Sequence, residues 1–239
     1  NLASELQNVY SHVFVETKTE NGDAVCVLRT LLNDRPIYFT TDGSAVSRDC
    51  GLYKEPIKIS QSCLVQAATF DKVGTPCKSQ KYVLHHKALG RLHRLNCQYN
   101  TYRVEYSAGG DMGLLDGATG GNNYADGCWQ GYQGQDIDVE IDFGSSTDIS
   151  SVEMHFLQNS GDWILAPQEI ELYSSDDGKT YKLAVNHKVE TDFRISGNHI
   201  YKVRIEDLSL QTRFLRVVAK NPGELPSWHG SAGATSFMS

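Results

Sequence analysis

Residues Asp111 to Gly144 read DMGLLDGATGGNNYADGCWQGYQGQDIDVEIDFG, and the two halves of this stretch have opposite characters. In the second half Ile137, Val139, Ile141 and Phe143 alternate with Asp138, Glu140 and Asp142, which predicts a strand with one buried and one charged face. The first half is rich in glycine, asparagine and aspartate around Asp116, a composition that leaves carbonyls free and supplies a carboxylate, as a hard cation requires. A polar loop of this length is either functional or disordered. Tyr124, Trp129 and Tyr132 within it point to order.

Working outward, the chain continues as short apolar-patterned segments punctuated by turn residues. After the focal strand come Val152 to Leu157, Glu169 to Ser174, Tyr181 to Val185, Tyr201 to Ile205 and Phe214 to Lys220. Before it come Ala24 to Leu32, Pro36 to Thr40, Ile57 to Ile59, Cys63 to Phe70 and Lys81 to His85. Strands at this spacing indicate sandwiches or jelly rolls. Leu2, Leu6, Val9, Tyr10 and Val13 lie near helical spacing, and residues 1–23 read as a linker or the end of an upstream domain. Between Lys87 and Tyr106 the alternation lapses and basic residues cluster, so residues 88–106 read as a connection between a domain at 24–87 and one at 107–239.

The chain has 239 residues, 40% hydrophobic and 21% charged, with a net charge of −7. The acidic excess lies in the second half: Thr101 to Ser239 holds 20 acidic and 10 basic residues of the chain's 29 and 22. That argues against nucleic-acid binding, which depends on neutralising phosphates with lysine and arginine. No apolar run approaches the ~20 residues of a membrane helix, so no membrane insertion is expected. No signal peptide opens the chain at Asn1, which reads as the start of an excised fragment. The six cysteines show no zinc-like spacing and read as buried free thiols or at most one opportunistic disulfide.

No catalytic motif stands out. There is no GxSxG elbow, HExxH helix or phosphate-cradling loop. Asp176 and Asp177 adjoin in a hairpin turn rather than facing each other across a cleft as glycoside hydrolysis needs. Adjacent His85 and His86 point to opposite faces of a strand and do not make a metal pair.

LLDG, CWQGY and the alternating strand ending in DFG resemble the opening of a discoidin, or coagulation factor 5/8 type C, domain, the fold shared with carbohydrate-binding module family 32. SSDDGKTY at Ser174 to Tyr181 and PSWHGSAGATSFM at Pro226 to Met238 follow in that family's order. Upstream, RPIYFTTDGSAVSRDCGLYKEPIKISQSCLVQAATFDKVG from Arg35 to Gly74 resembles the immunoglobulin-like module after the catalytic barrel of bacterial chitobiases and β-hexosaminidases of glycoside hydrolase family 20. The residues that carry this likeness are Tyr38, Thr41, Asp42, Gly43, Ser44, Tyr53, Pro56 and Ile57. The implied fold is all-β: an Ig-like β-sandwich followed by a discoidin-like jelly-roll sandwich.

These resemblances imply a non-catalytic accessory fragment of a secreted, periplasmic or cell-surface bacterial glycoside hydrolase. Its partners would be glycans of the galactose or N-acetylhexosamine class and the upstream catalytic domain of the same chain. The alternatives are a purely structural pair of modules or a protein-adhesion module, since fold alone does not choose among them. Tryptophan faces stack on sugar rings and neighbouring polar groups fix hydroxyls. The candidate sugar-binding residues are therefore Trp163 and Asn159 in QNSGDWILAP, Trp228 and His229 in ELPSWHGSAG, and Tyr132. A structural calcium ion is expected on Asp116 with the carbonyls of Leu114 and Gly121.

Overall fold

A computed structural model of the chain describes residues 11–20, 23–31 and 35–239. The described residues are all-β, with three short 3-10 segments. They divide into two compact units, one running to Gly90 and taking in Leu115–Ala118, the other comprising Arg91–Leu114 and Thr119–Ser239.

The first unit holds β1 (Phe14–Glu20), β2 (Asp23–Arg29), β3 (Tyr38–Thr40), β4 (Gly51–Leu52), β5 (Ile57–Lys58), β6 (Cys63–Phe70) and β7 (Pro76–Val83). They form two antiparallel sheets, ordered β1-β2-β5 and β4-β3-β6-β7. Val13, Cys26, Leu28, Ile37, Ile59, Val65, Ala67, Val83 and Leu89 make the core between them. Small residues at Ala67 and Ala68 on β6, both fully buried, allow the close packing such a thin sandwich needs. All six cysteines are free thiols, but against the sequence reading only Cys26 is buried: Cys50, Cys63, Cys77 and Cys97 are half-buried and Cys128 is exposed. Burial pushes the Cys26 thiol up to about 12, so it packs as a small hydrophobe.

The second unit adds β8 (Leu92–Leu95), β9 (Tyr132–Gln133), β10 (Ile137–Ile149), β11 (Val152–Gln158), β12 (Glu169–Ser175), β13 (Lys182–Lys188), β14 (His199–Ile205), β15 (Leu210–Ala219) and β16 (Phe237–Met238). Five strands form one sheet in the order β13-β12-β15-β10-β8, while β11 pairs with β14 and β9 with β16. Antiparallel register sets Val139 beside Val217 and Leu172 beside Val217, and Ile137 and Ile170 beside Ala219, giving continuous apolar rows. The opposite face carries the charges. Arg216 grips Asp138 through Nε at 2.8 Å and Nη2 at 2.6 Å, and Arg213 grips Asp142 at 3.0 and 2.9 Å. Glu140, only 3% exposed, accepts from Asn96 Nδ2 at 2.9 Å and Tyr181 Oη at 3.0 Å.

The structure departs from the sequence reading at the domain edges. Phe14–Glu20 is a strand paired along its length with Asp23–Arg29, within the span read as a linker. The connection expected over 88–106 holds β8, an edge strand hydrogen-bonded to β10. The division in chain order falls after Gly90, and Leu115–Ala118 of the LLDG stretch belongs with the first unit. A further departure is β7, which runs from Pro76 to Val83 rather than from Lys81 to His85. The helical spacing read at Leu2, Leu6, Val9 and Tyr10 falls outside the described residues; Val13 itself is core.

The charged face makes the second unit acid-sensitive. Hydrogen bonds from Arg213 hold Asp142 below the usual carboxylate range. At Asp138 burial pushes the carboxyl up, but the bonds from Arg216 and Asn96 outweigh it and the net direction is down. Groups with depressed folded pKa values contribute stability above their unfolded value of about 3.9, lost as pH falls through the folded values. In urea titrations the unfolding midpoint of this unit should hold between about pH 7 and 5 and drop below about pH 4. Arg216→Gln should lower the neutral plateau and flatten the acid drop; an unchanged acid limb in that variant counts against the pairing.

Candidate functional site

Three loops of the second unit converge where β11 ends. Asn159 and Ile164 pair through two backbone bonds, 2.9 Å and 3.0 Å, so the residues between them must turn within a tight closure. The Asn159 side chain caps that turn by accepting from Asp162 N at 3.3 Å, and its Nδ2 donates to Asp162 Oδ2 and Asn198 Oδ1, both at 2.8 Å. Closing the turn leaves Trp163 with φ 67°, a left-handed conformation costly for a bulky side chain. Such strain is characteristic of functional loops. The Trp163 ring is 37% exposed.

The second loop, Pro226 to Ala234, is tied to the first by His229. Ser231 N donates to His229 Nδ1 at 3.0 Å, which leaves Nε2 as the donor to the Ser160 carbonyl at 2.9 Å. The third loop, Asp192 to Asn198, is anchored by Gln158 Nε2 donating to Asp192 O and Ser160 Oγ donating to Phe193 O. From it the Arg194 guanidinium lies 4.8 Å above the ring of Trp228, which is 40% exposed. One face of Trp228 is thereby taken by a cation.

Beside Trp163 lies a cleft of about 160 Å³ lined by Glu105, Tyr106, Tyr124, Trp129, Gly131, Asp162, Ile164, Phe237 and Ser239. Its walls are fixed by backbone. Gly131 N donates to Tyr106 O at 3.0 Å and Phe237 N to Trp163 O at 2.8 Å. Trp129 is buried edge-on, its Nε1 donating to Gly121 O at 2.8 Å. Gly120 leaves room for that ring: a Cβ there would meet Trp129 at 2.1 Å.

The structure thus brings Asn159, Trp163, Trp228 and His229 into one set of loops. His229 ties the second loop to the first through Nε2, while Nδ1 accepts from Ser231 within its own loop. Tyr132 is elsewhere: it is fully buried on β9, its hydroxyl donating to Gln130 Oε1 at 2.7 Å, so it is core rather than a sugar contact. Burial raises its pKa well above the usual phenol range. Glu105, Tyr106, Asp162 and Arg194 were not singled out from sequence. Tyr124 and Trp129 were legible only as signs of loop order.

The donors expected for calcium do not fit that ion. Asp116 Oδ2 accepts from Lys81 Nζ at 2.7 Å, Oδ1 accepts from Ala118 N at 2.8 Å, and its carbonyl accepts from Thr17 Oγ1. An ammonium already supplies the positive charge. The Gly121 carbonyl is engaged by Trp129 Nε1 at 2.8 Å. Among the described residues no group of three or more His, Cys, Asp or Glu is placed to hold a metal.

Comparison with known proteins adds to this geometry. The F5/8 type C domain profile matches residues 98–238, and the Chitobiase/beta-hexosaminidase C-terminal domain profile matches residues 11–81. No curated protein matches the chain. Similar solved structures include the C-terminal domain of a chitobiase from Bacteroides fragilis, 12% identical with a TM-score of 0.36, covering 62% of this chain and 90% of that one. A family 32 carbohydrate-binding module from Clostridium perfringens, solved in complex with GalNAc-beta-1,3-galactose, is 14% identical with a TM-score of 0.36, covering 60% and 91%. A second such module, from a family 31 glycoside hydrolase of Clostridium perfringens, is 15% identical with a TM-score of 0.31, covering 64% and 95%.

The Lys81 to Asp116 pair is mostly buried, with side-chain exposures of 18% and 10%. Removing one partner of such a pair strands the other charge, at a cost of about 3 kcal/mol. Lys81→Met should therefore lower the stability of the first unit by that amount in urea unfolding. Added calcium should not restore it; recovery on adding calcium would mean that Asp116 takes the ion after all.

Proposed function

Because the chain belongs to the F5/8 type C domain family, we propose that its second unit is a glycan-binding module, using the aromatic cleft and the exposed Trp163 beside it. The observation that carries this reading is an aromatic-lined hollow, walled by Tyr106, Tyr124, Trp129 and Phe237, beside the exposed Trp163 on a hydrogen-bonded turn. Sugar rings have apolar faces that stack on aromatic rings, while Glu105 and Asp162 in the cleft wall supply acceptors for hydroxyls. Neutral rings of the galactose or N-acetylhexosamine class suit such a site. The role is binding and targeting without catalysis.

The finer reading places the chain in a bacterial β-N-acetylhexosaminidase-like glycoside hydrolase acting outside the cell. It is supported by the match of residues 11–81 to the Chitobiase/beta-hexosaminidase C-terminal domain. The immunoglobulin-like unit then spaces the binding module from an upstream catalytic domain.

A small site pairs few of the hydroxyls it desolvates, so the expected dissociation constant for one ring is on the order of 1 mM, worth ~4 kcal/mol. Glycan-array screening followed by titration tests the reading. Trp163→Ala should weaken binding about tenfold, ~1.4 kcal/mol. A Cβ on Gly131 would sit 3.6 Å from both Phe237 and Tyr106, an ordinary contact. Gly131→Ala should therefore narrow the cleft and weaken binding without changing the melting temperature. Glycan binding untouched by both substitutions would place the site elsewhere on the unit.

A further inference from the structure

The cleft beside Trp163 has a charge as well as a shape. Two carboxylates, Glu105 and Asp162, line it together with Tyr106, Tyr124, Trp129 and Phe237. Asp162 accepts a bond from the Asn159 amide, and among the described residues neither carboxylate forms an ion pair. The contrast with the charged sheet face is sharp, for there Asp136, Asp138 and Asp142 each meet a lysine or arginine. The two unneutralised carboxylates are therefore left beside a partly enclosed aromatic surface, within a half-chain holding 20 acidic and 10 basic residues.

Aromatic faces carry negative potential and attract ammonium groups, most strongly when water is partly excluded. Carboxylates beside them add charge-assisted hydrogen bonds. Resting on the glycan-binding reading above, we propose that this cleft selects a hexosamine with a free, protonated amine over its N-acetylated counterpart. The rings stack the sugar as they would a neutral one, and Glu105 and Asp162 receive the ammonium. Sugars bearing carboxylate or sulfate are repelled by the same two groups.

Isothermal titration of the whole chain with a glucosamine trisaccharide and with its fully N-acetylated form tests this. At about pH 6 the amine form should bind about tenfold more tightly, and the preference should vanish near pH 9, where an amine with a pKa on the order of 8 loses its proton. Glu105→Gln should remove most of the preference, read as the ratio of the two affinities measured on the same variant. Asp162→Asn keeps the shape of the side chain that Asn159 contacts and should do the same. Asp176→Asn, an exposed carboxylate in the turn after β12, serves as the control for bulk charge and should change nothing. Equal affinity for the two trisaccharides overturns the proposal. So does a preference that survives in the double carboxamide variant or that disappears equally in Asp176→Asn. Binding of the N-acetylated form without amine preference sinks this inference alone, whereas binding of no glycan sinks the glycan-binding reading with it.

Discussion

The second unit depends on the pairing of β10 with β15. Along β10 each residue has one of two fates fixed by the two-residue period of a strand. Ile137, Val139 and Ile141 lie against Ala219, Val217 and Leu215 to make the apolar rows, and Asp138 and Asp142 turn the other way to meet Arg216 and Arg213. A slip of one residue would send the carboxylates into the core and the isoleucines into water. Each fully buried aliphatic side chain contributes roughly 1.5–3 kcal/mol. The bidentate arginines add geometric specificity, because a guanidinium fork fits one carboxylate position and not its neighbour.

A fixed register also fixes where the strands end, and hence where the loops emerge. Gln158 closes β11 fully buried, its amide reaching the Asp192 carbonyl, so the first and third loops are joined at their bases. His229 joins the second loop to the Ser160 carbonyl of the first. A ligand meeting loops already tied in this way pays less ordering entropy on binding. The strained Trp163 backbone is tolerated because the Asn159 to Ile164 pair and the bond to Phe237 hold it from both sides.

What could be read in the sequence follows the range of the interactions involved. Cys63–Phe70 and Glu169–Ser175 were legible because alternation is a local property, and Trp163, Trp228 and His229 because tryptophan in a polar loop is conspicuous. Phe14–Glu20 was obscured by Glu16, Lys18 and Glu20, whose charges on the exposed side hide the inward Thr17. The four-residue β8 is too short to show a period, and only its hydrogen bonds to β10 reveal it. Asp116 illustrates the other limit. Its local surroundings are those of a cation-binding loop, but its partner Lys81 lies 35 residues away, and no local pattern encodes that meeting. The cleft escaped notice for the same reason, since Glu105, Tyr124 and Asp162 come from three separate segments.

The Arg194 to Trp228 stack bears on how the site divides its work. A cation over an exposed indole is worth about 0.5–1 kcal/mol, enough to bias a loop but not to define a fold. With the guanidinium 4.8 Å from its centroid, that face of Trp228 is closed to a sugar. The ring instead supports a cation at the edge of the loops, and on the glycan-binding reading proposed above stacking would fall to Trp163 and the cleft. Apolar contact and charge are thus supplied by different side chains on different loops. On that reading, a platform made of Trp163 and a small cleft would grip a single ring weakly. Strong attachment to a surface must then come from many rings engaged at once, or from a second binding element in the same protein, since linked weak sites gain through effective concentration what each lacks in contact area.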